Sequence, residues 1–178
     1  MQILTRIKNT SWSPPADNYL KINIDASFDD TVKKFGIGLI IRDSAGNSRG
    51  IRGKYFNEGI DAEQDECFAI NEALNWGNNL HFDRILLESD CQNVFFSIND
   101  ATLYVHWVNQ GLVNEIKHQL STRSGTTLIY LNRSGNNVAH VIANRARNLR
   151  ASFNILDDIP ADMYKALRDD VVNLKLCT

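Results

Sequence analysis

The chain has 178 residues and a formal net charge of −2: enough length for one domain with an ordinary core, and too little positive charge for the whole molecule to attract a polyanion. Its three cysteines (Cys67, Cys91, Cys177) are odd in number and lack ligand spacing, which argues against a disulfide framework or a zinc site and for a reducing compartment. No stretch is apolar for long enough to span a bilayer, and residues 1–11 lack the apolar segment of a signal peptide, so a cytoplasmic or nuclear protein without a membrane partner is expected.

Residues 1–19, with Trp12-Ser13-Pro14-Pro15, read as an extended leader, because proline suits neither a helix interior nor a sheet interior. Leu20 to Phe28 alternates as a strand, with Ile22, Ile24 and Ala26 on one face and Asn23, Asp25 and Ser27 on the other. A turn begins at Asp29, and Phe35 to Arg42 is a second, strongly apolar strand. Asp43 to Asn47 is a hairpin turn with Gly46 where a positive φ is needed. Ser48 to Tyr55 returns antiparallel as a third strand, carrying Arg49, Arg52 and Lys54 on an expected sheet edge.

From Ala62 the period turns helical. Ala62, Ala69, Ile70, Ala73, Leu74, Gly77 and Leu80 make an apolar stripe, Gln64, Asp65, Asn71 and Glu72 fall opposite it, and the helix is expected to end near Asn79. Arg84 to Asp90 is a fourth strand, Cys91 to Ile98 a short helix, and Val105 to Thr122 holds at least one more. Thr127 to Asn132 is a fifth strand. Past the turn at Ser134-Gly135-Asn136 comes a helix with Val138, Ile142, Ala146 and Leu149 facing inward, and Trp76 and Trp107 read as core residues. Residues 20–152 thus form an α/β domain on a mixed sheet. Residues 153–178 form a tail, in which Pro160 followed by Met163, Leu167 and Val171 predicts an amphipathic helix.

Three carboxylates stand out by position. Asp25 lies in a strand that this order of elements places centrally, Glu66 in the middle of the apolar stripe, and Asp90 at the carboxyl end of the fourth strand, where open α/β sheets keep their ligands. A buried carboxylate costs several kcal/mol unless it is paired or holds a metal. Three converging acids call for a hard divalent cation, Mg²⁺ above all, and two such ions about 4 Å apart suit phosphodiester hydrolysis.

The order strand Asp25, helix Glu66, strand-end Asp90 resembles the ribonuclease H type 1 superfamily. It is most similar to plant ribonuclease H-like domains related to the reverse transcriptases of non-LTR retrotransposons. The matching text is Trp12-Ser-Pro-Pro, Leu20-Lys-Ile-Asn-Ile-Asp25, Gly36-Ile-Gly38, Ile41-Arg42-Asp43-Ser-Ala-Gly46, Glu66-x-x-Ala69-x-x-x-Ala73-Leu74, Glu88-Ser-Asp90 and Asn136-Asn-Val-Ala139-His140-x-x-Ala143. The resemblance implies a ribonuclease H-like fold with a five-stranded sheet in the order 3-2-1-4-5, strand 2 antiparallel. It also implies a monomer that hydrolyses the RNA strand of RNA–DNA hybrids with magnesium held by Asp25, Glu66 and Asp90. Ser27 and Gln92 match positions that touch the nucleic acid.

Several residues depart from the family pattern. The fourth acid of active members falls at His140, whose place on the helical wheel predicts that it faces outward. It reads either as a solvated helix histidine or as a neutral imidazole that assists a second ion or positions water. Imidazole is a poorer ligand for magnesium, so manganese is expected to serve as well or better. The loop Leu131 to Gly135 lacks the histidine of many active members, His118 on a helix is a poor substitute, and Ala26 stands where glycine is usual. These departures leave open an alternative: a catalytically weak or inactive nucleic-acid-binding module.

Overall fold

Alternation in the first strand organises the molecule. The computed structural model describes residues 11–100, 102 and 104–176, with side chains described as far as residue 170. Residues 1–10 of the leader, Cys177 and the Val171 side chain lie outside the described residues. In β1 (Leu20–Asp29), Ile22 and Ile24 enter one apolar core, whereas Lys21, Asn23, Asp25 and Ser27 point to the other side of the sheet and are buried there. β2 (Lys34–Arg42) and β3 (Ser48–Phe56) continue as an antiparallel meander. The turn between them is built as expected: the Asp43 carboxylate accepts the N–H groups of Ala45 and Asn47 at 3.0 and 2.9 Å, and Gly46 has φ 83°.

α1 (Ala62–Asn79) crosses to β4 (Ile85–Ser89), which pairs parallel with β1. α2 (Gln92–Asn99), a short 3-10 turn at Trp107–Asn109 and α3 (Gln110–Ser121) lead to β5 (Thr126–Tyr130), parallel to β4. α4 (Asn137–Leu149), β6 (Phe153–Ile155) and α5 (Ala161–Leu176) follow. The sheet order is β5-β4-β1-β2-β3-β6. The expected 3-2-1-4-5 order is therefore present, with one strand added outside β3.

The main core lies under α1, where Ile70, Ala73 and Leu74 meet Ile22, Ile24, Ile37 and Leu39. A second core on the opposite face joins Ile40 and Ile51 to Val138 and Ile142 of α4 and Met163 and Ala166 of α5. α4 sits directly on the backbone of β2, because any side chain at Gly38 would collide with the Ala139 carbonyl and the Ala143 amide. Glycine here sets how deeply α4 approaches, and hence where its side chains meet β1.

Several expectations are corrected. β3 is not an edge: β6, within the segment read as tail, pairs with its Ile51 to Gly53. Arg52 and Lys54 both bind Glu72, at 2.9 and 2.7 Å. Asp65 is fully buried, because the Gly59 N–H bonds the Lys33 carbonyl at 2.8 Å and folds the preceding loop over the start of α1. Leu80 and Leu149 end their helices exposed, and Trp107 is 75% exposed because it lies in the 3-10 turn, before the period of α3 begins. Trp12, by contrast, is buried in the protein, with the Arg42 guanidinium 3.8 Å above its ring.

Candidate metal centre

Asp25 stands just past the middle of the central strand β1, one residue beyond its last pairing with β4 (Ile24 with Ser89), and Asp90 follows β4 at the same level. Glu66 projects from the second turn of α1, whose start is fixed by the Asp61 side chain accepting the Gln64 N–H at 2.7 Å. The three acids meet: one oxygen from each lies within 4.8 Å of the others. They line a cleft of about 510 Å³ together with Ser27, Asn93, Arg133, His140, Asn144 and Arg147.

The electrostatics of the cluster are those of a site short of positive charge. Burial first, then the charges of Asp25 and Asp90, push the Glu66 carboxyl well above the ordinary range, against the lowering effect of the Ala26 N–H it accepts. Asp90 is raised by burial and by Asp25, with the Arg133 guanidinium pulling the other way. Glu66 Oε2 is buried without any hydrogen-bond partner. An all-carboxylate donor set with an orphaned oxygen fits a hard divalent cation. Cys91 also lines the cleft, and burial pushes its thiol up.

His140 departs from the expected outward orientation. Its Nδ1 lies 2.8 Å from Asp25 Oδ2, and its Nε2 lies 2.9 Å from Asn144 Nδ2. A carboxylate only accepts, so the Asp25 contact places a ring proton on Nδ1, and the Asn144 amide nitrogen faces Nε2 as a donor. Ser27 Oγ closes the chain by donating to Asn144 Oδ1 at 2.5 Å. His140 lies in the first turn of α4, and the close seat of that helix on β2 turns the ring toward β1 rather than to solvent.

Ser27 is in the cleft wall, while Gln92 is exposed at the start of α2 and its neighbour Asn93 reaches the cleft instead. Glu63, the nearest rival of Glu66, accepts the backbone N–H of His106 at 2.9 Å and so holds a loop. Sequence reasoning misses Asn144 and Arg133 as site residues, and it reads Arg147 with Arg145 and Arg150 as a solvated helix face or a phosphate-tracking group. The spacing of Asn144 and Arg147, four and seven residues after His140, is the signal that marks one helix face. Asn136 also belongs to the site's support: its amide nitrogen donates to the Ile24 carbonyl at 2.7 Å and reaches Asp90 Oδ1 at 3.5 Å.

The fold is similar to that of ribonuclease H1 from the halophilic archaeon Halobacterium salinarum NRC-1, at 18% identity and a TM-score of 0.66 over 75% of this chain and 99% of that one. It is also similar to LC11-RNase H1 in complex with an RNA/DNA hybrid, a protein isolated from compost, at 18% identity and a TM-score of 0.64 over 74% of this chain and 98% of that one. The foamy viral protease-reverse transcriptase in complex with dsDNA matches at 14% identity and a TM-score of 0.57, over 74% of this chain and 94% of that one. No curated protein sequence matches the chain. These likenesses establish the α/β ribonuclease H-like fold, and no helix among the described residues is long and apolar enough to cross a membrane. The model of the reverse transcriptase-like family matches residues 23–146, the span that carries all three acids and the α4 contacts, and the chain belongs to that family.

Proposed function

We propose that the protein is an endoribonuclease that hydrolyses the RNA strand of RNA–DNA hybrids, with Asp25, Glu66 and Asp90 as ligands of Mg²⁺ or Mn²⁺. The observation that carries this reading is the convergence of the three carboxylates at the carboxyl edge of parallel strands, within 4.8 Å of one another and with a buried oxygen left over. Similar proteins seen with an RNA/DNA hybrid and with dsDNA support a nucleic-acid partner. A divalent cation bound there supplies Lewis-acid charge to a phosphodiester and lowers the pKa of a bound water.

The chain's own residues divide the remaining work. Asp25 is held in one orientation by the His140 Nδ1–H, and the Asn144 amide holds the other ring nitrogen in place. Asn136 steadies Asp90 from behind. Ser27 and Asn93 line the cleft that a duplex would enter, with Gln92 exposed beside Asn93, and discrimination of RNA rests on duplex shape and the 2′-hydroxyl rather than on base sequence. A related pattern in plant and retrotransposon proteins, a monomeric state and residence in cytoplasm or nucleus complete the proposal.

A second reading, a nucleic-acid-binding module of weak turnover, is favoured by one observation: with its proton on Nδ1, His140 offers the acids no lone pair. Cleavage of a labelled RNA–DNA hybrid in Mg²⁺ and in Mn²⁺ separates the two. Hydrolysis is expected in the wild type, with a fall of about 100-fold or more in Asp25→Asn. Binding without hydrolysis in either ion would move the conclusion to the second reading.

A further inference from the structure

The carboxyl half of β1 and the cleft-facing side of α4 are joined by three side-chain contacts in succession: His140 to Asp25, Asn144 to Ser27, and Arg147 to the Phe28 carbonyl. Residues 140, 144 and 147 recur at i, i+4 and i+7, so the contacts form a row leading away from the acids along one wall of the cleft. The outermost member is a guanidinium. Arg147 donates one nitrogen to Phe28 O at 3.1 Å, which fixes the side chain, and its other donors have no protein acceptor among the described residues.

On the Asp90 side of the cleft stands Arg133, in the 3-10 turn Arg133–Gly135, which is capped by Asn132 accepting the Ser134 N–H at 3.1 Å. Its charge acts on Asp90, yet its side chain makes no hydrogen bond or ion pair among the described residues. Other arginines are committed to carboxylates: Arg42 to Asp170, Arg49 to Asp43, Arg52 to Glu72 and Arg145 to Asp162. The two that line the cleft are not.

We infer that Arg133 and Arg147 bracket a nucleic-acid backbone, each binding the phosphate of a nucleotide that flanks the phosphodiester facing Asp25, Glu66 and Asp90; this rests on the nucleic-acid reading above. A guanidinium presents paired N–H donors that match two phosphate oxygens. A molecule of net charge −2 with three acids in its cleft repels a polyanion unless cations stand at the cleft ends. Contacts of this kind position the duplex and carry no base preference.

The test uses the full chain with turnover stopped by Asp25→Asn, and follows the anisotropy of a labelled RNA–DNA hybrid across a salt series in Mg²⁺. Arg133→Gln and Arg147→Gln are each expected to weaken binding about fivefold and to lower the log–log salt slope by about 1, whereas Arg150→Gln, beyond the cleft, leaves both unchanged. In the otherwise wild-type chain the two cleft substitutions are expected to raise KM and leave kcat within about twofold. Melting temperatures equal to wild type confirm that the substitutions, at exposed Arg133 and Arg150 and half-buried Arg147, leave the fold intact. Unchanged affinity and slope in both variants would overturn the bracket while hydrolysis by the wild type left the nuclease proposal standing. A wild type that neither cleaves nor binds hybrid would remove both.

Discussion

Asp65 and Glu66 are neighbours in sequence with opposite fates. Glu66 interrupts an apolar stripe, so its inward position was legible from helical period alone. Asp65 was placed on the polar face, because nothing local announces that the loop through Gly59 will close over it. Both of its oxygens are buried without a partner, and burial together with the charge of Asp61 pushes its carboxyl up to about 7. A folded state that keeps a proton the unfolded chain releases near its ordinary value of about 4 loses stability as pH rises between those limits. Asp65→Asn is therefore expected to raise stability above pH 7, by on the order of 2 kcal/mol, and to flatten the slope between pH 4 and 7. Urea melts across that range check it; a variant with the same pH slope as wild type would show that Asp65 is not the titrating group. His140 teaches the complementary lesson. Its identity at the fourth acid position was visible, but its direction depends on how deeply α4 sits, which the glycines of another strand decide.

At the scale of elements, α5 and the leader converge on Arg42. The guanidinium binds Asp170 at 2.7 Å and Asn23 at 2.8 Å, and lies over Trp12. Burial lowers the Arg42 pKa and raises that of Asp170 in spite of their pairing, so desolvation outweighs the attraction for each. Breaking such a pair is costlier than never having it. Asp170→Ala is expected to lose about 3–5 kcal/mol, while Arg42→Met combined with Asp170→Leu retains most of the stability. Thermal melts of the single and double variants decide, and equal losses in both would show that shape rather than charge matters there. The helix α5 was legible from Pro160, Met163 and Leu167, but its docking was not, since its partner charge lies 128 residues away. β6 has three residues, too few for a period of two to register.

For the whole molecule, the order of strands and helices was readable because each long element has a clear period and each hairpin a turn signature. The meeting of the acids followed from topology: a helix over two parallel central strands brings Asp25, Glu66 and Asp90 to one edge. The strain of that meeting carries a prediction. Glu66 and Asp90 are both raised, so without a divalent ion stability is expected to fall as pH rises from the ordinary carboxylate range toward neutrality. Mg²⁺ or Mn²⁺ at 100 times its dissociation constant is expected to add about 2.7 kcal/mol and to flatten that fall. Scanning calorimetry with and without the ion measures the effect, and Glu66→Gln is expected to abolish the ion's contribution. A melt insensitive to the ion in the wild type would count against the metal centre.

The stacking of Arg42 on Trp12 bears on how the protein is trimmed for study. Residues 23–146, the span of the family match, exclude both Trp12 and Asp170 and would leave the Arg42 guanidinium with Asn23 but without its counter-charge or its aromatic cover. A minimal fragment cut to those limits would expose Ile40 and Ile51 along with it, and would be expected to precipitate where residues 11–176 stay in solution.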